Sequence, residues 1–187
     1  MESAATEPVP DEEDFKMIRI FTLTASDFET LAPRMFSILA RNMRTLHPEE
    51  APSEVDYALW LSYQRAHFSD TRFVVAEREG RLAGYLQYSL RLTELMIEEI
   101  EIAPEDQLWF GFLPKLLDHP RTELPAEVKT VCAYISKDNA RSARIAEKLG
   151  LRPAGTSPSG KSFHYQGSIE AFARKTMKPV TNNQEPR

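Results

Sequence analysis

The residues best placed to do chemistry are Glu99 and Glu101, in the stretch ELMIEEIEIAP over residues 94–104. Alternation in this stretch predicts a strand, and side chains two apart on a strand share a face. The two carboxylates therefore point one way, and Ile100 and Ile102 point the other. Paired acids on one face of a strand suit the binding of an amine; a face simply bathed in solvent would carry the same pattern. The four histidines lie at positions 47, 67, 119 and 164, without metal-like spacing to Cys or acidic partners. Cys132 sits in an apolar strand and lacks a placed base, so it reads as a small buried hydrophobe. The run TSPSGKS (156–162) lacks the glycine spacing of a phosphate loop and reads as a hairpin turn.

Positioning these acids requires a sheet. KMIRIFTLT (16–24) alternates as a strand. Met35, Phe36, Leu39 and Met43 then recur at helical spacing, and Pro33 suits a first turn, so the spacing predicts a helix starting near Ala32. Ser53 followed by Asp56 resembles a capping box, and Val55, Leu59, Ser62 and Tyr63 mark the face of a second helix. FVVAE and LAGYLQYSL flank REGR, where Gly80 supplies a positive φ for a hairpin. VKTVCAYIS is a further strand. KDNARSARIAEKLGL is a helix capped near Asn139 and closed at Gly150. Two short strands follow around a Pro/Gly/Ser turn, and SIEAFARKTM is a last helix or a strand extension. Hairpin-linked strands with later helical crossovers give an α/β (α+β) fold: a mixed, mostly antiparallel sheet of six to seven strands with helices on both faces.

The chain carries 42% apolar and 27% charged residues, within the range of a soluble globular domain. Residues 1–15 hold six acids, and a disordered tail is expected there; residues 16–177 form a single domain, and 178–187 are a loose polar tail. The net charge of -5 argues against nucleic acid, and the absence of a long apolar run argues against a membrane span. A single cysteine and a start without a leader pattern lead to the expectation of a cytoplasmic protein.

NARSARIAEKLGLRPAG (139–155) resembles the segment of the GNAT acyltransferases in which Asn opens a helix that ends in an E-K-L-G turn. EIEIAP (99–104) is similar to the fourth strand of that family and its closing proline. The likeness extends from Met17 to about Phe172. It implies acyl transfer from an acyl-CoA, here acetyl-CoA as co-substrate, to a primary amine of a small molecule or peptide. It implies that Glu99 is the base, with Glu101 as the second acid of the site. It further implies that the Ile102 backbone touches the acyl-pantetheine and that Gln107, Gly111 and Asn139 contact the cofactor. Edge-strand pairing in that family also leaves a homodimer open.

The sequence departs from the family pattern twice. Ala146 stands where a tyrosine would protonate the leaving thiolate. The pyrophosphate loop reads EDQLWFGF, with Gly111 as its one glycine and bulky aromatics around it. Glu105 and Asp106 would cap the next helix and repel phosphate, and Pro114 would move the helix start to near Leu113. Such a loop is either a rebuilt grip, with charge from Lys115, Arg141 or Arg144, or the mark of a binding or regulatory module that does not acylate.

Overall fold

The computed structural model of the chain describes residues 18–46, 48–50, 52–107 and 112–176. The expected tails at 1–15 and 178–187 and the Gly111 position lie outside these residues. β1 (Ile18–Thr22) leads into a long α1 (Ala25–Leu46). Helix α1 starts well before Ala32, because Thr24 and Asp27 cap each other: Asp27 Oδ2 accepts from the Thr24 amide at 3.1 Å, and Thr24 Oγ1 accepts from the Asp27 amide at 3.2 Å. Pro33 lies inside the helix on its exposed side, where water can satisfy the carbonyl that loses its donor. The buried face is made by Phe28, Leu31, Ala32, Met35 and Ile38, so that of the predicted face only Met35 is fully buried while Phe36, Leu39 and Met43 lie at its margin.

Helix α2 (Glu54–His67) carries the expected capping box, with the Ser53 and Asp56 side chains each bonded to the other's backbone. Its predicted inner face is corrected. Val55, Leu59, Ser62 and Tyr63 are exposed, while Trp60, Leu61 and the buried Gln64 turn inward. An aromatic seam fixes this rotation: Phe36 of α1 lies 5.1 Å from Tyr57 and 5.5 Å from Trp60, and Phe28 lies 6.1 Å from Trp60.

The strands β2 (Thr71–Arg78) and β3 (Arg81–Arg91) join through Glu79 and Gly80, both at positive φ (54° and 73°), as a two-residue hairpin turn requires. Then come β4 (Glu94–Ile102), α3 (Phe112–Asp118), β5 (Thr130–Ser136), α4 (Ala140–Lys148), β6 (Arg152–Thr156), β7 (Ser162–Ser168) and α5 (Ile169–Thr176). The last segment is thus a helix. The seven strands run in the order β1-β2-β3-β4-β5-β7-β6. All neighbours are antiparallel except β4 and β5. Helices α1 and α2 cover one face over Phe73, Val75 and Tyr85. The core on the other face joins Leu86, Leu95, Ile97 and Val131 to Phe112, Leu116, Leu117, Leu151 and Phe172. Among the described residues no helix is long and apolar enough to cross a membrane.

Two irregularities position the site. The first is a bulge in β4: Tyr88 pairs with Ile97 and Gln87 with Glu99, which leaves Glu98 as the extra residue. Leu95 and Ile97 before it and Ile100 and Ile102 after it consequently face the same core despite opposite parity. The second is a parting of strands. The β4–β5 ladder joins Glu94–Ile97 to Thr130–Ala133, yet β4 runs on to Ile102 and β5 to Ser136. Beyond the ladder each strand presents an edge to a wedge-shaped gap.

Candidate active site

Glu99 and Glu101 follow the bulge and share a face, as their spacing predicts, and that face is the α1–α2 side. Each has a distinct anchor. The Tyr85 hydroxyl, from the adjacent strand, donates to Glu99 Oε2 at 3.0 Å. The Asn42 amide of α1 donates to Glu101 Oε2 and to the Ile102 carbonyl, the latter at 3.0 Å. The solvated-face reading is therefore set aside for both acids. Burial pushes the Glu99 carboxyl up to about 8, the charge of Glu101 adds to this, and the Tyr85 bond opposes it. Burial pushes Glu101 up to about 7 against the Asn42 bond. Tyr85, fully buried beside both acids, is held well above the usual phenol range and so remains a donor. A carboxyl that titrates near neutrality can act as a general base there.

The β4 edge beside these acids is open. The Ala103 amide donates to the Ala83 carbonyl at 2.8 Å, so residue 103 directs its polar groups to β3. By alternation, those of Ile100 and Ile102 point into the gap. The Ile102 carbonyl is held there by Asn42 and by Gln107 Nε2, at 3.2 Å from the latter. Gln107 also donates to Asn42 Oδ1 at 2.9 Å and accepts from Arg141 at the start of α4. A continuous polar chain thus runs Glu101, Asn42, Gln107, Arg141 across four segments of the fold.

The acids of the loop are corrected. Glu105 and Asp106 do not cap α3. Asp106 is buried and receives Arg81 through both oxygens, at 2.8 and 3.1 Å, with Arg78 at 3.3 Å. Glu105 bridges Arg41 at 3.0 Å and Arg81 at 3.2 Å. Their charges are thus matched by three arginines of the hairpin and α1. Pro114 occupies the first turn of α3, where its missing amide proton is not needed, as expected.

Asn139 caps α4, its Oδ1 accepting from the Ser142 amide at 3.0 Å, and Arg144 is exposed further along the same helix. Ala146 is buried. Of the tyrosines on the strands to either side of α4, Tyr165 belongs to the core, and Tyr134 is the first β5 residue beyond the ladder, half exposed and stacked 5.0 Å from His164. Cys132 is buried, and burial pushes its thiol up to about 11. Among the described residues no group of His, Cys, Asp and Glu could hold a metal ion.

A cleft of about 560 Å³ reaches Glu99 between α2 and the β2–β4 strands, with Trp60, Tyr63, Gln87 and Leu90 among its walls. Tyr85, Asn42 and Gln64 were not singled out in the sequence. Counting pairs outward from the turn at Leu92 and Thr93 sets Tyr85 opposite Glu101 only once the bulge at Glu98 is included.

No family model and no curated protein matches the sequence. Solved structures do match. An acetyltransferase from Thermus thermophilus aligns with 82% of this chain and 97% of its own, at a TM-score of 0.64 and 16% identity. The PaiA N-acetyltransferase from Thermoplasma acidophilum, solved with coenzyme A, covers 81% and 98% at 0.63 and 16%. A GNAT-family structure from Desulfovibrio desulfuricans covers 82% and 99% at 0.57 and 17%. The chain has the GNAT fold. The bulge in β4, the parting of β4 from β5 and the α1–α2 pair over one face lie within that fold in this molecule.

Proposed function

We propose that the protein is an acyl-CoA-dependent N-acyltransferase that moves an acetyl group from acetyl-CoA to a primary amine. The observation that carries this reading is the placement on one strand face of two partly buried carboxyls, both pushed up toward neutrality, beside an open strand edge, with Glu99 lining a cleft. The open edge suits the pantetheine arm, held by Ile100 and by the Ile102 amide as an added strand would be. Gln107, Asn139, Arg141 and Arg144 line the approach to α4 and would meet the phosphates, with Gly111 as the loop's contribution. The arginine partners of Glu105 and Asp106 offset the repulsion that these acids would otherwise exert on a pyrophosphate. Solved neighbours with coenzyme A bound share the scaffold.

In the reaction the ammonium of the acceptor gives a proton to the Glu99 carboxylate, and Glu101 holds the amine. The free amine attacks the thioester carbonyl, the C–N bond forms, the C–S bond breaks and the nitrogen sheds its second proton. The thiolate then takes up a proton, for which Tyr134 is better placed than the core residue Tyr165. Much of the rate comes from holding the two reactants together.

Calorimetric titration with acetyl-CoA tests the reading. Binding in about the micromolar range is expected, with Asn139→Ala weaker by about tenfold. Glu99→Gln should keep that binding and slow turnover by roughly a hundredfold or more. Failure to bind acetyl-CoA or free CoA would leave a non-catalytic binding module as the function of this scaffold.

A further inference from the structure

The cleft that ends at Glu99 does not stop at the protein surface. It opens onto a stripe of α2 that the fold leaves uncovered: Val55, Leu59 and Tyr63, four residues apart, are 69%, 65% and 60% exposed. Tyr63 belongs to both the stripe and the cleft, with Trp60 deeper on the same helix. Leu90, 41% exposed, faces them from β3, and Leu92 follows it at the hairpin turn. Trp60, Tyr63 and Leu90 thus form an apolar, aromatic patch in a cleft whose other lining residues, His67, Asp70, Thr71, Ser89 and Glu99 among them, are polar.

The charges of the cleft narrow the acceptor further. Asp70, Glu98 and Glu99 all line it. Glu98 is already committed, since it accepts from Ser89 at 2.6 Å and pairs with Arg91 at 3.3 Å. Arg91 itself lines the cleft and would oppose a second ammonium. The buried amides of Gln64 and Gln87 bond to each other, at 3.2 and 2.8 Å, so the floor largely satisfies its own polar groups. A volume of about 560 Å³ exceeds what a bare alkylammonium fills and has room for a ring.

Building on the acyl-transfer reading, we infer that the acceptor is a monoamine carried on an apolar, ring-sized body, an arylalkylamine in class. Its ring packs among Trp60, Tyr63 and Leu90 while its ammonium faces Glu99. The stripe of Leu59 and Val55 extends the same apolar surface for longer bodies.

The test compares 2-phenylethylamine, ethylamine and 1,4-diaminobutane as acceptors for the full chain with acetyl-CoA. The kcat/KM for 2-phenylethylamine should exceed each of the other two by about tenfold or more, since each buried methylene carries about that much discrimination. Tyr63→Ala should collapse the ratio to ethylamine, and Tyr63→Phe should retain it. Equal or better use of ethylamine or the diamine would overturn the inference. If no amine is acetylated, the acyl-transfer reading fails, and calorimetry with 2-phenylethylamine then decides on the cleft. Binding that Tyr63→Ala weakens would uphold the site; absent binding, or binding that Tyr63→Ala leaves alone, would overturn it. A dimer in sedimentation that Leu59→Asp dissociates would assign the stripe to a second copy and overturn it as well.

Discussion

Glu99→Gln should make the protein more stable at alkaline pH while it removes the base. The substitution preserves shape and deletes one buried titratable charge. In the folded protein the Glu99 carboxyl is pushed from an ordinary 4.5 to about 8, first by burial and then by Glu101. In the unfolded chain it returns to the ordinary value. Between those two pH values the folded state holds a proton that the unfolded state has lost. Stability of the wild type therefore falls as pH rises through this window, is unaffected below it, and has lost the full amount above it. At 1.36 kcal/mol per pH unit the ceiling is about 5 kcal/mol. Mutual dependence on Glu101 and relaxation around the charge reduce this, and we expect about 2–3 kcal/mol. Urea unfolding at pH 5 and pH 8.5 measures it. The two proteins should unfold almost together at pH 5, and the variant should resist urea better at pH 8.5 with an unchanged slope. A stability difference that is the same at both pH values would refute a buried, hard-to-ionise Glu99.

Two further outcomes follow from the same contacts. Tyr85→Phe removes the bond that eases ionisation of Glu99, so the rising limb of kcat/KM, expected in the wild type between about pH 7 and 8, should move upward by about half to one pH unit. A limb that stays in place would exclude Glu99 as the base. Arg81→Ala takes the two-pronged partner from the buried Asp106 and leaves it Arg78 alone, which should cost about 3 kcal/mol in urea unfolding; Lys at the same position should recover part of it, since it supplies charge without the fork.

Much of the fold is legible in local signals. The REGR turn, the Ser53–Asp56 box, the Asn139 cap and the Gly150 closure all act within a few residues of themselves, and each is found where the sequence places it. Helix α1 is misread because Pro33 carries a stronger local signal for a helix start than the Thr24–Asp27 box that precedes it. Helix α2 is misread for a different reason. Two apolar stripes compete on it, and the one that wins is chosen by Phe28 and Phe36, residues of another helix. Periodicity reveals that a helix has an apolar face but cannot choose between two without the neighbour.

The site is legible to the same depth. Parity places Glu99 and Glu101 together, because the bulge at Glu98 lies before both and does not divide them. What surrounds them comes from residues 14 to 59 positions away in sequence, namely Tyr85 and Asn42, and no local pattern announces those contacts. The loop makes the same point with the opposite outcome. Read alone, Glu105 and Asp106 look hostile to an anion. In the folded chain they are the sockets for Arg41, Arg78 and Arg81, and they tie the turn after β4 to the hairpin and to α1. That anchoring leaves the next residue, Gln107, bonded to the Ile102 carbonyl, to Asn42 and to Arg141. The acids that seem to spoil an anion grip therefore fix the residue that joins the β4 edge to the start of α4, so their presence in the sequence is no argument against a phosphate beside them.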